Sequence, residues 1–458
     1  MIRSLTSAEL DVQLADRPVR FTDSGGISVA TWCGMSHRRP GNSGPRVGSP
    51  TARVSVTPPA QAPTRRDTYL AFGKPDFGDD EVAAVARVIR SGWVGMGAET
   101  IAFEEELAAA FGARHVVTVN SCTSALFLSL LALGVGPGDE VVVPSFTWIS
   151  TANAARHLGA TPVFCDIDAA TMSVTAATVR ACLTPRTRAV IVVHMGGLAV
   201  EVDEIRRVVP SHIPIVEDAA HACGARFADG RPVGSSANLT CFSFYANKNL
   251  STGDGGAIAL PTEAVAKRLR SLRQHALPDD AWKRFTDPLS LTPVSIGELG
   301  YKMNYTDLQA ALGRVQLRRQ PELSARRLAV AETYADGIAK LGWPVAIQTG
   351  VTQAGHARHL FLVQLPVERL GVARGTILAA LRNRNLGASV HYPPIHSMPL
   401  YASGRHAALP VTDRLYERVL TLPMSASMST ADARQVVTAL DEVLTNCISA
   451  GVAAGGRS

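Results

Sequence analysis

Cysteines are few in this sequence, and their spacing excludes the sites that cysteines usually build. The 458-residue chain has seven cysteines, an odd number, and no two of them form a C-x-x-C pair. Neither a disulfide framework nor a cysteine-rich zinc site is therefore predicted, and no residue is assigned to a metal. A reducing compartment is the simplest interpretation.

Long apolar runs and concentrated basic charge are also missing. The longest apolar stretch, residues 125–135, is about half the length of a membrane-spanning helix. The N-terminus lacks the basic and then apolar pattern of a secretory signal. The net charge of +6 forms no basic stripe with interleaved aromatic residues, although it suits a phosphorylated or nucleotide-linked substrate. We expect a cytoplasmic protein that binds neither nucleic acid nor a membrane.

The composition changes along the chain and predicts its organisation. Residues 1–66 are rich in Ser, Pro, Gly, Thr and Arg and are predicted to be a disordered extension. The alternatives are a targeting or partner-binding tail, or a start codon placed too early, with Met35 as a later candidate. Residues 67–310 are predicted to form a large domain, residues 311–450 a smaller one, and residues 451–458 a flexible tail.

Short β-branched runs alternate with helical periodicity from residue 69 onward. Two amphipathic helices are predicted to end at Gly92 and Gly112. The runs predicted as strands are residues 115–119, 140–143, 161–165, 189–193, 213–216 and 239–244. This alternation favours an α/β fold, in which helices cover both faces of a mainly parallel sheet. In the smaller α+β unit, residues 361–363 and 389–391 are predicted strands, and Ser429-x-x-Asp432 is predicted to begin a final helix.

One lysine is placed where it could act as a nucleophile. Lys248 follows the predicted strand at residues 239–244 by four residues, inside a polar and glycine-rich loop. Ligands gather at the carboxyl ends of strands in such sheets. A lysine amine that is desolvated in a cleft there can form a Schiff base. Surface lysines are far more common than nucleophilic ones, so this interpretation of Lys248 requires evidence from other residues.

A carboxylate and a predicted helix N-terminus provide that evidence. Asp218 directly follows another predicted strand and could keep a proton on the ring nitrogen of pyridoxal phosphate, while Ala220 is small enough to lie against the ring. The segment from Ser121 to Thr123 leads from a strand into an apolar helix, whose amides and hydroxyls could bind a phosphate. Trp148 could stack on the ring, although packing in the core is the commoner role of a tryptophan.

Together these motifs resemble the DegT–DnrJ–StrS aminotransferases, a family of sugar-modifying enzymes that use pyridoxal phosphate. The resemblance extends from Ala71 to about Leu444. The motifs that carry it stand in family order and include Ser121-Cys-Thr123-x-Ala-Leu, Pro144-Ser-Phe-Thr-Trp148, Glu217-Asp218-Ala-Ala-His221, Ser243-Phe-x-x-x-Lys248, Gly300-Tyr-Lys302-Met-Asn304 and Val390-His391-Tyr392-Pro-Pro-Ile-His396.

The resemblance implies a fold-type-I architecture with a seven-stranded sheet, pyridoxal 5'-phosphate as cofactor, and a homodimer with shared active sites. It implies that Lys248 carries the cofactor, that Asp218 pairs with its ring nitrogen and that Trp148 stacks on the ring. The other implied cofactor contacts are Ser121, Cys122, Thr123, Ala220, His221, Ser243 and, from the partner chain, Lys302 or Asn304. His391, Tyr392 and His396 are candidate substrate contacts.

The implied reaction is the transamination of a keto-sugar. The substrate would be a nucleotide-linked 3-keto or 4-keto deoxysugar and the donor L-glutamate, in the synthesis of an amino-sugar for a secondary metabolite or a polysaccharide. The alternatives are an aminotransferase that acts on a cyclitol ketone and a regulatory protein that binds the cofactor. Lys248 argues against the dehydratase branch of the family, which has a histidine at this position.

Overall fold

The computed structural model of the chain describes residues 65–277, 296–402, 404 and 407–455, with side chains as far as residue 447. The described residues belong to one compact unit. The predicted extension at residues 1–66 lies almost entirely outside the described residues. The domain limits at residues 310 and 311 stay a prediction.

Helices and strands alternate in the first part of the described chain, as predicted. The helices are α1 (Asp79–Ser91), α2 (Ala98–Phe111), α3 (Cys122–Ala132), α4 (Ser150–His157), α5 (Ala176–Cys182), α6 (Val202–Val208), α7 (Glu263–Leu272), α8 (Asp307–Arg318), α9 (Gln320–Ile338), α10 (Val367–Leu370), α11 (Arg374–Arg382), α12 (Pro410–Arg418) and α13 (Thr430–Gly455). The strands are β1 (His115–Val119), β2 (Glu140–Pro144), β3 (Thr161–Cys165), β4 (Thr187–Val193), β5 (Ile215–Asp218), β6 (Leu239–Ser243), β7 (Gly256–Leu260), β8 (Ala346–Ile347), β9 (Phe361–Gln364) and β10 (Val419–Leu422).

The first seven strands form one sheet, in the order β1-β7-β6-β5-β4-β2-β3. Strand β7 is antiparallel to both of its neighbours, and the other pairs are parallel. The predicted mainly parallel α/β fold is confirmed. All six strands predicted from the sequence are present, whereas β7 was not located in advance. Because β1, β2, β5 and β6 run in the same direction, their carboxyl ends meet at one edge of the sheet.

Both faces of this sheet are covered, which explains the apolar strands. Two clusters of buried side chains lie on either side of it, one with Phe103 and Phe242 and the other with Leu126 and Ile258. Helix α3 is apolar on most of its surface because it packs against β6 and β7 on one side and against α4 and α7 on the other. Its N-terminus is thereby fixed at the carboxyl end of β1.

The predicted helix ends are confirmed. Gly92 and Gly112 end α1 and α2 in left-handed conformations, with φ values of 76° and 63°. The Ser429 hydroxyl accepts a hydrogen bond from the amide of Asp432, and the Asp432 carboxylate accepts one from the amide of Ser429. This reciprocal cap begins α13, which continues to Gly455, into the segment predicted as a flexible tail.

A second, three-stranded sheet with the order β10-β9-β8 has its own apolar core. The strand predicted at residues 361–363 is confirmed as β9. The prediction of a strand at residues 389–391 is wrong, because Ser389 forms only an isolated bridge with Thr421. The side chain of His391 bonds to the Thr421 hydroxyl at 2.9 Å, so this segment follows the sheet edge without joining it.

No helix among the described residues combines the length and the apolar character that crossing a membrane requires.

Candidate active site

A cavity of about 440 Å³ opens at the sheet edge where β1, β2, β5 and β6 end. This volume is typical of sites that bind small organic molecules. The cavity gathers most of the site residues predicted from the sequence, although long stretches of chain separate them. The predicted residues that line it are Ser121, Cys122, Thr123, Trp148, Asp218, Ala220, His221, Ser243, Lys248, His391 and Tyr392.

Lys248 lies in the loop after β6, and its amine faces this cavity. Its Nζ lies 3.2 Å from Nε2 of His359, a residue that enters the site just before β9. Burial lowers the pKa of Lys248 to about 8, although the nearby Asp218 carboxylate acts in the opposite direction. About a tenth of the amine is therefore unprotonated at pH 7, far more than for an ordinary lysine, and the unprotonated form is the nucleophile.

Asp218 ends β5 and is buried at the wall of the same cavity. Its Oδ2 accepts a hydrogen bond of 2.8 Å from the Thr151 hydroxyl, and its Oδ1 accepts one of 3.1 Å from the amide of Ala220. Burial raises the pKa of Asp218, while these hydrogen bonds oppose the rise. Among the described residues, Asp218 has no ion-pair partner, so this carboxylate is oriented and free to pair with a cation in the cavity.

The N-terminus of α3 offers two backbone amides to the cavity. The Ser121 hydroxyl caps the helix by accepting from the amide of Ser124 at 3.1 Å. In the part of the chain that is described, the amides of Cys122 and Thr123 have no acceptor. The Thr123 hydroxyl contacts that of Ser150 at 2.9 Å, which brings the N-termini of α3 and α4 together. Uncapped amides at converging helix N-termini form a site for an anion.

Gly256 keeps this helix end close to the sheet. It begins β7 and pairs with Val119 on one side and Ser243 on the other. A Cβ at this position would lie 2.6 Å from the carbonyl carbon of Ser121 and 2.7 Å from the nitrogen of Cys122. Any side chain would therefore displace the two free amides.

Aromatic rings surround the rest of the cavity. Trp148 follows β2 and leaves 57% of its surface exposed, with its ring centroid 5.7 Å from that of Tyr392. The Tyr392 hydroxyl contacts Nε2 of His221 at 3.1 Å. Nδ1 of His221 accepts from the amide of Gly196, and burial followed by the charge of Lys248 holds the pKa of His221 well below its usual value. The ring is therefore neutral and donates from Nε2 to the tyrosine.

Three predicted residues do not line the cavity of their own chain. Lys302 and Asn304 bond to each other in the loop before α8. His396 bonds to Ser145 at 2.7 Å and contacts Asp413 at 3.1 Å, so both of its ring nitrogens are engaged in joining β2 to α12.

Two residues that position the site were missed from the sequence. Thr151 orients Asp218, and a hydroxyl in the first turn of the helix after Trp148 was a signal that could have identified it. His359 contacts Lys248, but nothing in its local sequence distinguishes it from the neighbouring His356.

The profile of the DegT/DnrJ/EryC1/StrS aminotransferase family matches residues 75–441. The chain belongs to this family. As a member it is a transaminase that depends on pyridoxal phosphate. The family resemblance read from the sequence is confirmed.

Individual relatives of this aminotransferase agree with the assignment. The spore coat polysaccharide biosynthesis protein SpsC of Bacillus subtilis is 40% identical over 386 residues, which cover 83% of this chain and 98% of that protein. The putative sugar aminotransferase Spr1654 of Streptococcus pneumoniae in its PMP form is 30% identical with a TM-score of 0.76, covering 82% of this chain and 99% of its own. DesI in the presence of its TDP-sugar product is 29% identical with a TM-score of 0.76, covering 86% and 97%.

The aminotransferase residues fit pyridoxal phosphate. The free amides of Cys122 and Thr123 suit its phosphate, and the small Gly256 leaves room for that group. The buried carboxylate of Asp218 lacks an internal cation, which suits a protonated pyridine nitrogen. The amine of Lys248 has the lowered pKa that attachment to an aldehyde requires.

Proposed function

We propose that this aminotransferase converts a nucleotide-linked keto-sugar to an amino-sugar, with L-glutamate as the amino donor and the ketone at C-3 or C-4 of a deoxysugar. The observation that carries the proposal is the half-buried Lys248 amine, with its pKa lowered to about 8, facing the same cavity as Asp218 and the free amides of α3. No structural or regulatory role needs this combination of groups.

Different cavity residues have different roles in the reaction. Pyridoxal phosphate, when bound, supplies a ring that withdraws electrons from the carbon whose proton is moved. The carboxylate of Asp218 holds a proton on the ring nitrogen, because an anion beside it favours the charged form. The amine of Lys248 takes the proton from one carbon and returns it to another, as a general base and then a general acid.

The exposed part of the cavity supports a sugar substrate. Trp148 and Tyr245 leave about half of their surfaces exposed at its lining, and flat faces of this kind pack against sugar rings and nucleobases. DesI was crystallised with a TDP-sugar product and SpsC acts in polysaccharide biosynthesis, which supports a nucleotide-linked sugar here. His391 and Tyr392 are the proposed substrate contacts of this chain.

The proposal includes a homodimer. Lys302 and Asn304 lie outside the cavity of their own chain, as expected if the loop that carries them reaches the phosphate of the partner chain. Which of the two makes this contact is a question for paired single substitutions to alanine, with the affinity for pyridoxal phosphate as the measurement. The cytoplasmic location stays a prediction.

The decisive experiment uses the amino form of the enzyme and a panel of ketones. Protein loaded with pyridoxamine phosphate would be incubated with nucleotide-linked 3-keto and 4-keto sugars and with a cyclitol ketone, and the product mass would be followed. We expect one class of keto-sugar to gain an amino group, and Lys248→Ala to give no product. Lys267→Ala, which removes an exposed lysine on α7, is the matched control and should retain full conversion. Conversion of the cyclitol ketone alone would establish the alternative function.

A further inference from the structure

A second cavity, of about 400 Å³, lies apart from the candidate active site and shares no lining residue with it. It is formed where the C-terminus of α2 and the start of α9 meet the loop after β5. Its apolar wall includes Phe111, Val233 and Leu317. Its polar wall is basic, because Arg226 and Arg327 line it and no carboxylate does so among the described residues.

Arg327 is the unusual member of this wall. The side chain is 4% exposed, yet no carboxylate pairs with it and no hydrogen-bond acceptor contacts it in the described part of the chain. Its Nε is fully enclosed without an acceptor. Buried guanidinium groups are normally paired, because removing their charge from water without compensation is costly.

The neighbouring groups do not supply the missing anion. The Asp76 carboxylate, which favours the charged form of Arg327, is already paired with Arg319 and with Arg326. Burial raises the pKa of the Cys223 thiol to about 12, so it remains neutral beside Arg327. Burial also lowers the pKa of Arg327 to about 10, and the group is still charged at neutral pH.

We propose that this cavity is a second ligand site, in which Arg327 binds the carboxylate or phosphate group of a small molecule whose apolar part packs against Phe111 and Leu317. A forked guanidinium recognises either oxyanion with two parallel hydrogen bonds. The site adds to the transamination and does not depend on which sugar is the substrate.

The cavity adjoins the loop that carries the reactive lysine. Asn249 follows Lys248 directly and lines the second cavity. Its amide nitrogen donates to the carbonyl of Ala357 at 2.6 Å, its side-chain oxygen is buried without a donor, and its own carbonyl accepts from Gln320. A ligand that fills this cavity would therefore lie against the residue that follows Lys248.

The test measures the binding of two anions to the enzyme saturated with pyridoxal phosphate. The anion site formed by the Cys122 and Thr123 amides at the N-terminus of α3 is then already occupied. Inorganic phosphate and benzoate would be titrated separately by calorimetry, in a chloride buffer of constant ionic strength, to distinguish a phosphate from a carboxylate ligand. Ser324→Glu places a carboxylate one turn before Arg327 on α9, at the same cavity. Ala325→Glu makes the same change of charge at an exposed position of that helix.

We expect at least one of the two anions to bind to the wild-type enzyme. Ser324→Glu and Arg327→Gln should each weaken the binding of that anion by at least about tenfold. Ser324→Glu gives Arg327 an internal carboxylate partner, whereas Arg327→Gln removes the charge that would pair with the anion. Ala325→Glu should leave the affinity unchanged, and Ser324→Glu should raise the melting temperature by giving Arg327 a partner. If Arg327→Gln does not fold, Ser324→Glu alone carries the test. Binding of neither anion, or equal binding to Ser324→Glu and to the wild type, would overturn the proposal.

Discussion

Nζ of Lys248 and Nε2 of His359 lie 3.2 Å apart, although 111 positions separate them in the sequence. Lys248 belongs to a loop of the large sheet, whereas His359 leads into β9 of the small sheet. Burial, followed by the charge of Lys248, holds the pKa of His359 well below its usual value. The imidazole therefore contacts the amine as a neutral partner, which orients it without adding a second positive charge.

Replacing His359 should slow the reaction without removing the cofactor. His359→Phe keeps a ring of similar size and loses the hydrogen bond to Lys248, so we expect kcat to fall about tenfold, the loss that corresponds to one hydrogen bond. The limb of the pH–rate profile that reports the lysine should also shift, because the environment of its amine changes. His359→Gln, which retains a hydrogen-bonding group, should recover part of the rate. An unchanged kcat and pH profile in His359→Phe would show that the contact has no role in positioning the amine.

His356 provides the control for this prediction. It is a buried histidine three residues earlier whose ring bonds to Gln348 and to the amide of Arg358, and it does not line the cavity. His356→Asn should lower the melting temperature and leave kcat per folded molecule unchanged.

Asp218 and Glu217 are adjacent on β5 but face opposite sides of the sheet, and we expect different consequences from equivalent substitutions. Asp218→Asn removes the negative charge from the cavity, so kcat should fall by at least about 100-fold, the scale typical of losing one preorganised electrostatic contact. Its melting temperature should change little, since the amide still accepts from Thr151. Steady-state kinetics with pyridoxal phosphate in excess would measure the effect.

Glu217 serves as the contrast because it is buried and wholly engaged. It accepts from Nε2 of His194 at 3.0 Å and from Asn238 at 2.8 Å. Although burial opposes ionisation, these hydrogen bonds hold the pKa of Glu217 below its usual value. Glu217→Gln should lower the free energy of unfolding by about 1–3 kcal/mol, with kcat per folded molecule retained. Loss of kcat in Glu217→Gln equal to that in Asp218→Asn would contradict the division between the two faces.

The sequence could predict those parts of the site that follow strands directly. Asp218, Lys248 and the Ser121 cap each come at or after a strand end, and parallel strands bring such positions to one edge. His359 could not be predicted, because its position depends on how the small sheet packs against the large one. β7 escaped prediction because Gly-Ala-Ile-Ala-Leu has neither alternation nor many β-branched residues. Residues 389–391 were predicted to form a strand, but His391 lines the cavity and bonds to the Thr421 hydroxyl, and the segment does not join the sheet.

A methyl group at Gly256 should impair the phosphate site formed by the free amides of Cys122 and Thr123. The added Cβ would lie within 2.7 Å of the nitrogen of Cys122, so α3 must shift and its two free amides must move away from the ligand. We expect Gly256→Ala to weaken the binding of pyridoxal phosphate by about tenfold or more and to lower the melting temperature. Gly136→Ala is the matched control, since a Cβ there meets no atom within 4 Å. Equal affinity in the two variants would mean that the helix end tolerates displacement.

The lowered pKa of Lys248 predicts how the protein free of cofactor responds to pH. Burial takes the pKa from 10.5 to about 8, so the folded chain loses this proton at a lower pH than the unfolded chain. Below about pH 8 the buried charge reduces stability, and between pH 8 and 10.5 this effect is relieved, because the unfolded state then binds more protons than the folded state.

Competitive labelling with limiting acetic anhydride, followed by peptide mass spectrometry, would measure this titration directly. The rate of labelling of Lys248 should rise with pH along a titration curve whose midpoint is near pH 8, because the unprotonated amine is the reactive form. The exposed Lys267 provides the internal reference for the pH dependence of the reagent itself. In His359→Phe the midpoint should move, since the amine loses its neutral partner. A wild-type midpoint near 10.5 would show that the cavity does not desolvate Lys248, and the amine would then be too strongly protonated at neutral pH to serve as the proposed base.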